Sequence, residues 1–318
     1  MIAELGLQVW REPRGARIWL ARTRTHRRGR RVRLAHPYPT TSRTGCRLRF
    51  PTCAVLLEAT ERVRVGPLVL NNDLRHPVVL AREAAALAEF SGGRFELGLG
   101  AGHIAREYAR AGIRFERHER RIDRLDEATQ ILKTLVAGET ATYEGAHYTV
   151  RDEQIRPAPE HAVPVLIGGN SALLQGVSAR HGDIVGLTGF GQRNGGAAPA
   201  DLSTFGSSAA AGQIATIRRC AAEHGRSPRL QALAQWAQVT PNRRRAAESV
   251  ATELGVLPEV ALDSPYVLLG TVQEILDQIR QHKERLGIER WTVFSRHSGG
   301  QPPCMQTLTP VAEALAAG

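Results

Sequence analysis

From residue 62 onward the apolar positions switch repeatedly between a period of two and the period of a helix. Residues 62–70 are β-branched and alternating, which predicts a strand. Pro77 then opens a helix with Leu80, Ala84 and Leu87 on one face, and Ser91-Gly92-Gly93 ends it. Phe95, Leu97 and Leu99 alternate in a second strand that runs into the glycines of 98–102. An amphipathic helix follows over 119–136, with Ile122, Leu125, Leu132 and Leu135 inward and Gly138 as its stop. Residues 140–150 form a hairpin turning at Glu144-Gly145. A strand over 163–167, a helix over 171–180 and a strand over 183–187 come next, then a Gly, Ala and Ser-rich loop over 188–208. Helices are predicted over 209–224 and 243–254. Thr271 and Glu274 make a capping box for a helix reaching Leu286, before a last strand at 291–294. Strands alternating with helices imply an α/β fold with a parallel sheet, either doubly wound or a (β/α)8 barrel.

The first fifty residues break this pattern. Residues 5–10 alternate and predict a strand, but no period persists from Arg11 to about Arg49, and order returns near Glu58. Residues 1–50 carry 13 arginines, no lysine and two acids, Glu4 and Glu12. That surplus equals the +11 of the whole chain, so the rest is electrically balanced. The excess is an asymmetry between segments and not a property of the fold.

Length and composition bound the class. A chain of 318 residues with 42% hydrophobic positions has ample material for a buried core and too much for intrinsic disorder. Its apolar runs are far too short to cross a bilayer, and no signal-peptide pattern opens it. Cys46, Cys53, Cys220 and Cys304 include no CxxC pair, so neither a zinc site nor a disulfide framework is indicated and no metal is assigned. A reduced, cytoplasmic setting is the expectation.

Candidate chemistry concentrates at two glycine-rich strand ends. The first is Gly100-Ala101-Gly102, followed by His103, whose imidazole exchanges protons near neutral pH. The second is Gly168-Gly169-Asn170-Ser171, directly before a helix whose N-terminal amides suit a phosphate. Each alone reads equally well as a strand-to-helix turn, but two at strand carboxyl ends of one α/β chain are more informative. His76, before Pro77, reads as either a cap or a pocket residue. Residues 100–105 also fit the G-x-G-x-x-A dinucleotide fingerprint, yet no second strand ending in an acid follows at the required distance.

The run Arg62 to Leu70, His76-Pro77, Leu80 to Glu83 and Phe90 to Gly102 resembles the luciferase-like monooxygenase superfamily. It is most similar to the branch that uses the deazaflavin coenzyme F-420. The resemblance continues through Glu107-Tyr108, Gly112-Ile113, 120–135, 145–148, 164–169, 179–183 and 268–271, covering about 58–296. It implies a (β/α)8 TIM barrel of the bacterial-luciferase type with insertions, a homodimer, and a cofactor at the strand carboxyl ends. It implies a non-prolyl cis peptide supporting the deazaflavin ring within Gly66, Pro67, Leu68 and Val69. Gly100, Ala101 and Gly102, with Gly168, Gly169, Asn170 and Ser171, are implied to hold the cofactor and its tail phosphate. His103 falls where some relatives carry a glutamate proton donor, a departure in residue type that keeps acid–base capacity. The implied chemistry is hydride transfer between F-420 and a small organic substrate; the alternative in the same fold is an FMN-dependent monooxygenase.

Between about Arg14 and Cys53 the resemblance lapses. In GC-rich DNA a frame offset turns Asp, Ala and Gly codons into Arg, Thr and Pro codons, so we read residues 11–53 as translated out of frame, leaving the first β/α units irregular. On this reading the chain divides into an atypical segment 1–57 and a barrel domain 58–318. The alternative class is a nucleic-acid-binding chain using this basic arm, disfavoured by the absence of lysine and of a DNA-binding motif. A transit peptide fits the arginines but not the strand-like start.

Overall fold

The computed structural model describes residues 7–11, 17–19, 49–190, 201–293 and 308–317. Contacts divide the chain into two units, one of residues 1–9 and 22–165 and one of residues 10–21 and 166–318.

In the first unit, β1 (Leu7–Arg11) pairs with β3 (Val63–Pro67). The helix α1 (Arg49–Glu58) precedes β3 and packs on it. Phe50, Cys53, Leu56 and Leu57 of α1 are buried, with the Phe50 ring 5.6 Å from that of Phe95. Among the described residues helical order therefore starts at Arg49 and not near Glu58: four apolar side chains spaced for one helical face outweigh the arginines around them. A short strand, β4 (Leu70–Asn71), leads through a 3-10 turn at Asn72–Leu74 into α2 (Pro77–Phe90). His76 caps α2, its Nδ1 accepting from the Val78 N–H at 3.3 Å, and Pro77 needs no acceptor for an N–H it lacks. Next comes β5 (Leu97–Gly100), buried throughout and parallel to β4 with Leu70 opposite Leu99 and Asn71 opposite Gly100. Then follow α3 (Ala105–Ala111) and α4 (His118–Val136), with Ile122, Leu125, Leu132 and Leu135 buried as the helical period requires. The hairpin β6 (Ala141–Glu144) and β7 (Thr149–Glu153) is held to α4 by Glu127, whose carboxylate accepts the N–H groups of Ala146, His147 and Tyr148 at 2.8–3.1 Å.

The second unit is a parallel sheet. Its strands are β2 (Arg17–Trp19), β8 (Val165–Gly168), β9 (Ile184–Leu187), β10 (Arg229–Ala234) and β13 (Ile288–Val293), in the order β2-β13-β10-β9-β8. A separate parallel pair joins β11 (Trp236–Val239) to β12 (Val267–Gly270). The helices are α5 (Ala172–His181), α6 (Ser207–Glu223), α7 (Arg243–Leu254), α8 (Pro258–Asp263), α9 (Val272–Leu286) and α10 (Thr309–Ala317). The core joins Val185, Leu187, Ile214, Ile217, Leu268 and Trp291, among others. Thr271 and Glu274 close the capping box of α9 as the sequence predicts. The Ala and Ser-rich stretch predicted as loop to 208 is already helical from Ser207, and residues 191–200 of that stretch lie outside the described residues. Most of the Arg-rich segment 11–53 also lies outside them.

Candidate functional site

In the first unit the candidate residues converge on the ends of β3, β4 and β5. The Leu68–Val69 peptide is cis and non-prolyl, within the four residues the resemblance indicates. It lies against β5 at Gly98, where the strand has no room for a side chain. A Cβ there would overlap the Pro67 carbonyl oxygen and stand 3.3 Å from Val69 Cγ1. Only glycine lets the two backbones approach so closely. The next residues, Gly100 and Ala101, are buried, Gly102 is half-buried, and His103 is exposed at the start of the connection to α3. Gly66, Pro67, Leu68, Val69, Gly100, Ala101, Gly102 and His103 thus share one unit and one end of its strands.

A polar cluster holds this strand end. The Tyr108 hydroxyl lies 2.9 Å from Asp73 Oδ2, 3.0 Å from Asn71 Oδ1 and 3.3 Å from the Ala101 carbonyl. Burial, and then the negative charge of Asp73, push this phenol well above its ordinary range. Tyr108 is therefore a fixed donor and not a base. Arg121, 5% exposed, directs Nε at the Ala101 and Gly102 carbonyls, 3.3 Å from each, and stacks over the Phe115 ring at 4.1 Å. Arg124 pairs with Asp73 at 2.9 Å and with Glu116. Beside the cluster is a cavity of about 550 Å³ lined by Asp73, Arg75, His76, Glu116, Arg124 and Tyr148. His76 is thus both cap and pocket residue. Tyr108, Arg121 and Asp73 carry no sequence signal of their own: the Glu107-Tyr108 pair is visible, but its direction is not.

In the second unit, β8 ends in the turn Gly168-Gly169-Asn170-Ser171. Ser171 caps α5, its Oγ accepting the Leu174 N–H at 3.3 Å. The N–H groups of Ala172 and Leu173, both exposed residues, belong to the first helical turn and have no acceptor within the helix. The Asn170 side chain is committed elsewhere. Its amide donates to Thr204 Oγ1 at 2.7 Å, and its carbonyl accepts from Gln213 Nε2 at 3.2 Å. Thr204 in turn donates to the Gly189 carbonyl at 3.2 Å. Asn170 therefore fastens the turn to α6 and to the segment before it. The dinucleotide-fold reading of residues 100–105 fails: α3 and α4 follow β5, and the next strand, β6, pairs antiparallel.

A solved structure of an F-420-dependent secondary alcohol dehydrogenase in complex with an F-420–acetone adduct matches with a TM-score of 0.62 at 19% identity, covering 84% of this chain and 83% of that one. The oxygenating constituent of 3,6-diketocamphane monooxygenase from Pseudomonas putida, in complex with FMN, matches with a TM-score of 0.61 at 17% identity, covering 84% and 83%. At these identities the likeness shows the luciferase-like α/β barrel fold alone. The F-420-dependent glucose-6-phosphate dehydrogenase of Microbacterium testaceum is 39% identical over 122 residues, 38% of this chain and 36% of that protein. The chain therefore matches little over a third of that relative's length. The sequence profile described as luciferase-like monooxygenase matches residues 36–290, beginning upstream of the 58 expected from the motifs and reaching into the Arg-rich segment. A match over that span shows that the chain belongs to the luciferase-like monooxygenase family.

Proposed function

We propose that this chain is an oxidoreductase that uses coenzyme F-420 to transfer a hydride to or from a small organic substrate. The observation that carries the reading is the glycine-rich end of β5, packed through Gly98 on Pro67–Val69, in a chain of the luciferase-like family. The residues fit a flat ring system: Gly98 excludes a Cβ, and Gly100, Ala101 and Gly102 present backbone with at most a methyl group. The deazaflavin, when bound, supplies the hydride donor or acceptor. Gly66, Pro67, Leu68 and Val69 would support its ring, and Tyr108 and Arg121 would keep the Ala101–Gly102 carbonyls turned away from it. In the second unit, the amides at the start of α5, with the backbone of Gly168, Gly169, Asn170 and Ser171, would bind a phosphate, which the positive end of the helix dipole favours. His103, exposed beside Gly102, would hold or release the proton that accompanies the hydride. The choice of deazaflavin over FMN is supported by the 39%-identical F-420-dependent relative. Both described cysteines, Cys53 and Cys220, are free thiols, consistent with work in a reducing cytoplasm. The homodimer belongs to the same proposal. Among the described residues no helix is long and apolar enough to cross a membrane.

The FMN-bound structural neighbour supports a second reading, an oxygen-consuming monooxygenase. Reduced flavin reacts rapidly with oxygen and reduced deazaflavin scarcely does, so one experiment separates the two. Purified full-length chain is titrated with F-420 and with FMN, followed by fluorescence, and turnover is then followed by cofactor absorbance and by an oxygen electrode. Binding of F-420 and oxygen-independent bleaching with alcohol substrates are expected. Selective FMN binding with substrate-dependent oxygen uptake would establish the second reading, and binding of neither would remove both.

A further inference from the structure

The carboxyl end of α6 carries three potential metal ligands that the redox reading does not use. Cys220, Glu223 and His224 stand at i, i+3 and i+4, so the helical period puts them on one face. A ligand atom from each lies within 4.8 Å of the other two. Four-coordinate zinc sets its donors about 3–4 Å apart, a gap that rotation of the exposed Glu223 side chain and a small shift of the thiol narrow without moving the His224 ring. We infer that this cluster is a surface zinc(II) site, with water as its fourth ligand.

His224 Nδ1 lies 2.9 Å from the Cys220 carbonyl oxygen. A neutral imidazole that donates Nδ1–H to that carbonyl carries its lone pair on Nε2, the arrangement that orients histidine ligands in metal sites. Cys220 is half-buried, with its thiol 4.0 Å from the Gly176 carbonyl oxygen. On binding, the thiol proton passes to solvent and a sulfur–metal bond replaces that weak contact. Among the described residues no ion pair engages Glu223. Thiolate and carboxylate together supply two negative charges against the dication, and the negative end of a 17-residue helix adds to them. Sulfur and imidazole select a borderline-soft ion over magnesium or calcium.

The test uses the full, untagged chain, reduced and metal-free, titrated with Co²⁺ and then challenged with Zn²⁺. One equivalent of Co²⁺ is expected to produce a thiolate-to-cobalt charge-transfer band that Zn²⁺ abolishes. C220S, folded by circular dichroism, should lack the band. E223Q and H224Q should weaken binding by about tenfold or more, since loss even of a ligand's hydrogen-bond partner costs roughly 10–100-fold. Zn²⁺ should also slow alkylation of Cys220 in the unmodified chain several-fold, read by mass spectrometry, which keeps the test independent of how C220S folds. Absence of the band, its survival in folded C220S, unchanged affinity in E223Q and H224Q, or no protection of Cys220 overturns the assignment. None of these outcomes depends on which cofactor the enzyme uses.

Discussion

Replacing Gly98 by alanine probes the link between backbone packing and the proposed cofactor platform. The added Cβ would overlap the Pro67 carbonyl oxygen while standing 3.2 Å from Pro67 C and 3.3 Å from Val69 Cγ1. The obstructing atom is backbone, so no rotamer change relieves it, and the strands must part by about an ångström in an interior packed to crystal density. Overpacking of this kind costs about 1–3 kcal/mol. Unfolding in urea should therefore show G98A destabilised by about that amount. The platform at Pro67–Val69 moves with the strand, and a misplacement of about 1 Å costs on the order of 10²-fold in rate. F-420 titration by fluorescence should show weakened binding, and hydride transfer should fall about a hundredfold. If G98A keeps both the stability and the F-420 affinity of the parent, β5 does not abut the platform as described and the reasoning fails.

Gly212 lies mid-helix in α6, exposed and with nothing within 4 Å of an added Cβ, so G212A should stabilise the protein by about 0.5–1 kcal/mol in the same urea assay. Burial pushes His282 down to about 4 from an ordinary 6.5, so the unfolded chain binds the extra proton over that interval. The stabilisation from keeping it neutral is complete above pH 6.5 and is lost as pH falls to about 4, about 3 kcal/mol in all; urea melts at stepped pH should show this slope, and H282L should flatten it. N170A deletes the bonds to Thr204 and Gln213 and should weaken F-420 binding about tenfold while leaving the secondary structure intact; unchanged affinity would show that the turn holds its shape without them. H103A should lower the rate about 10²–10⁴-fold with little change in F-420 affinity, and a rate equal to the parent's would remove His103 from the chemistry.

The sequence alone carried the alternation of strand and helix from residue 62, the inward face of α4, the helix start at Pro77, the capping box at Thr271 and both glycine-rich strand ends. Each rests on a local rule: a period, a cap geometry or a missing side chain is written in neighbouring residues. The same rules passed over α1, because its buried stripe of Phe50, Cys53, Leu56 and Leu57 is short and sits beside arginines. They also passed over β10 and β12, whose strands are buried on both faces and so show no alternation to read. Tertiary structure decided what the polar residues do. Asn170 reads as a ligand contact in the glycine turn, yet Thr204 and Gln213, 34 and 43 residues on, claim its amide. Tyr108 and Arg121 stand in the sequence only as members of matching runs, yet the Tyr108 hydroxyl lies against the Ala101 carbonyl and Arg121 Nε donates towards those of Ala101 and Gly102. Local pattern fixes where the backbone bends. A side chain's role depends on which distant groups can satisfy its hydrogen bonds once water is excluded, and only the folded chain brings those groups within reach.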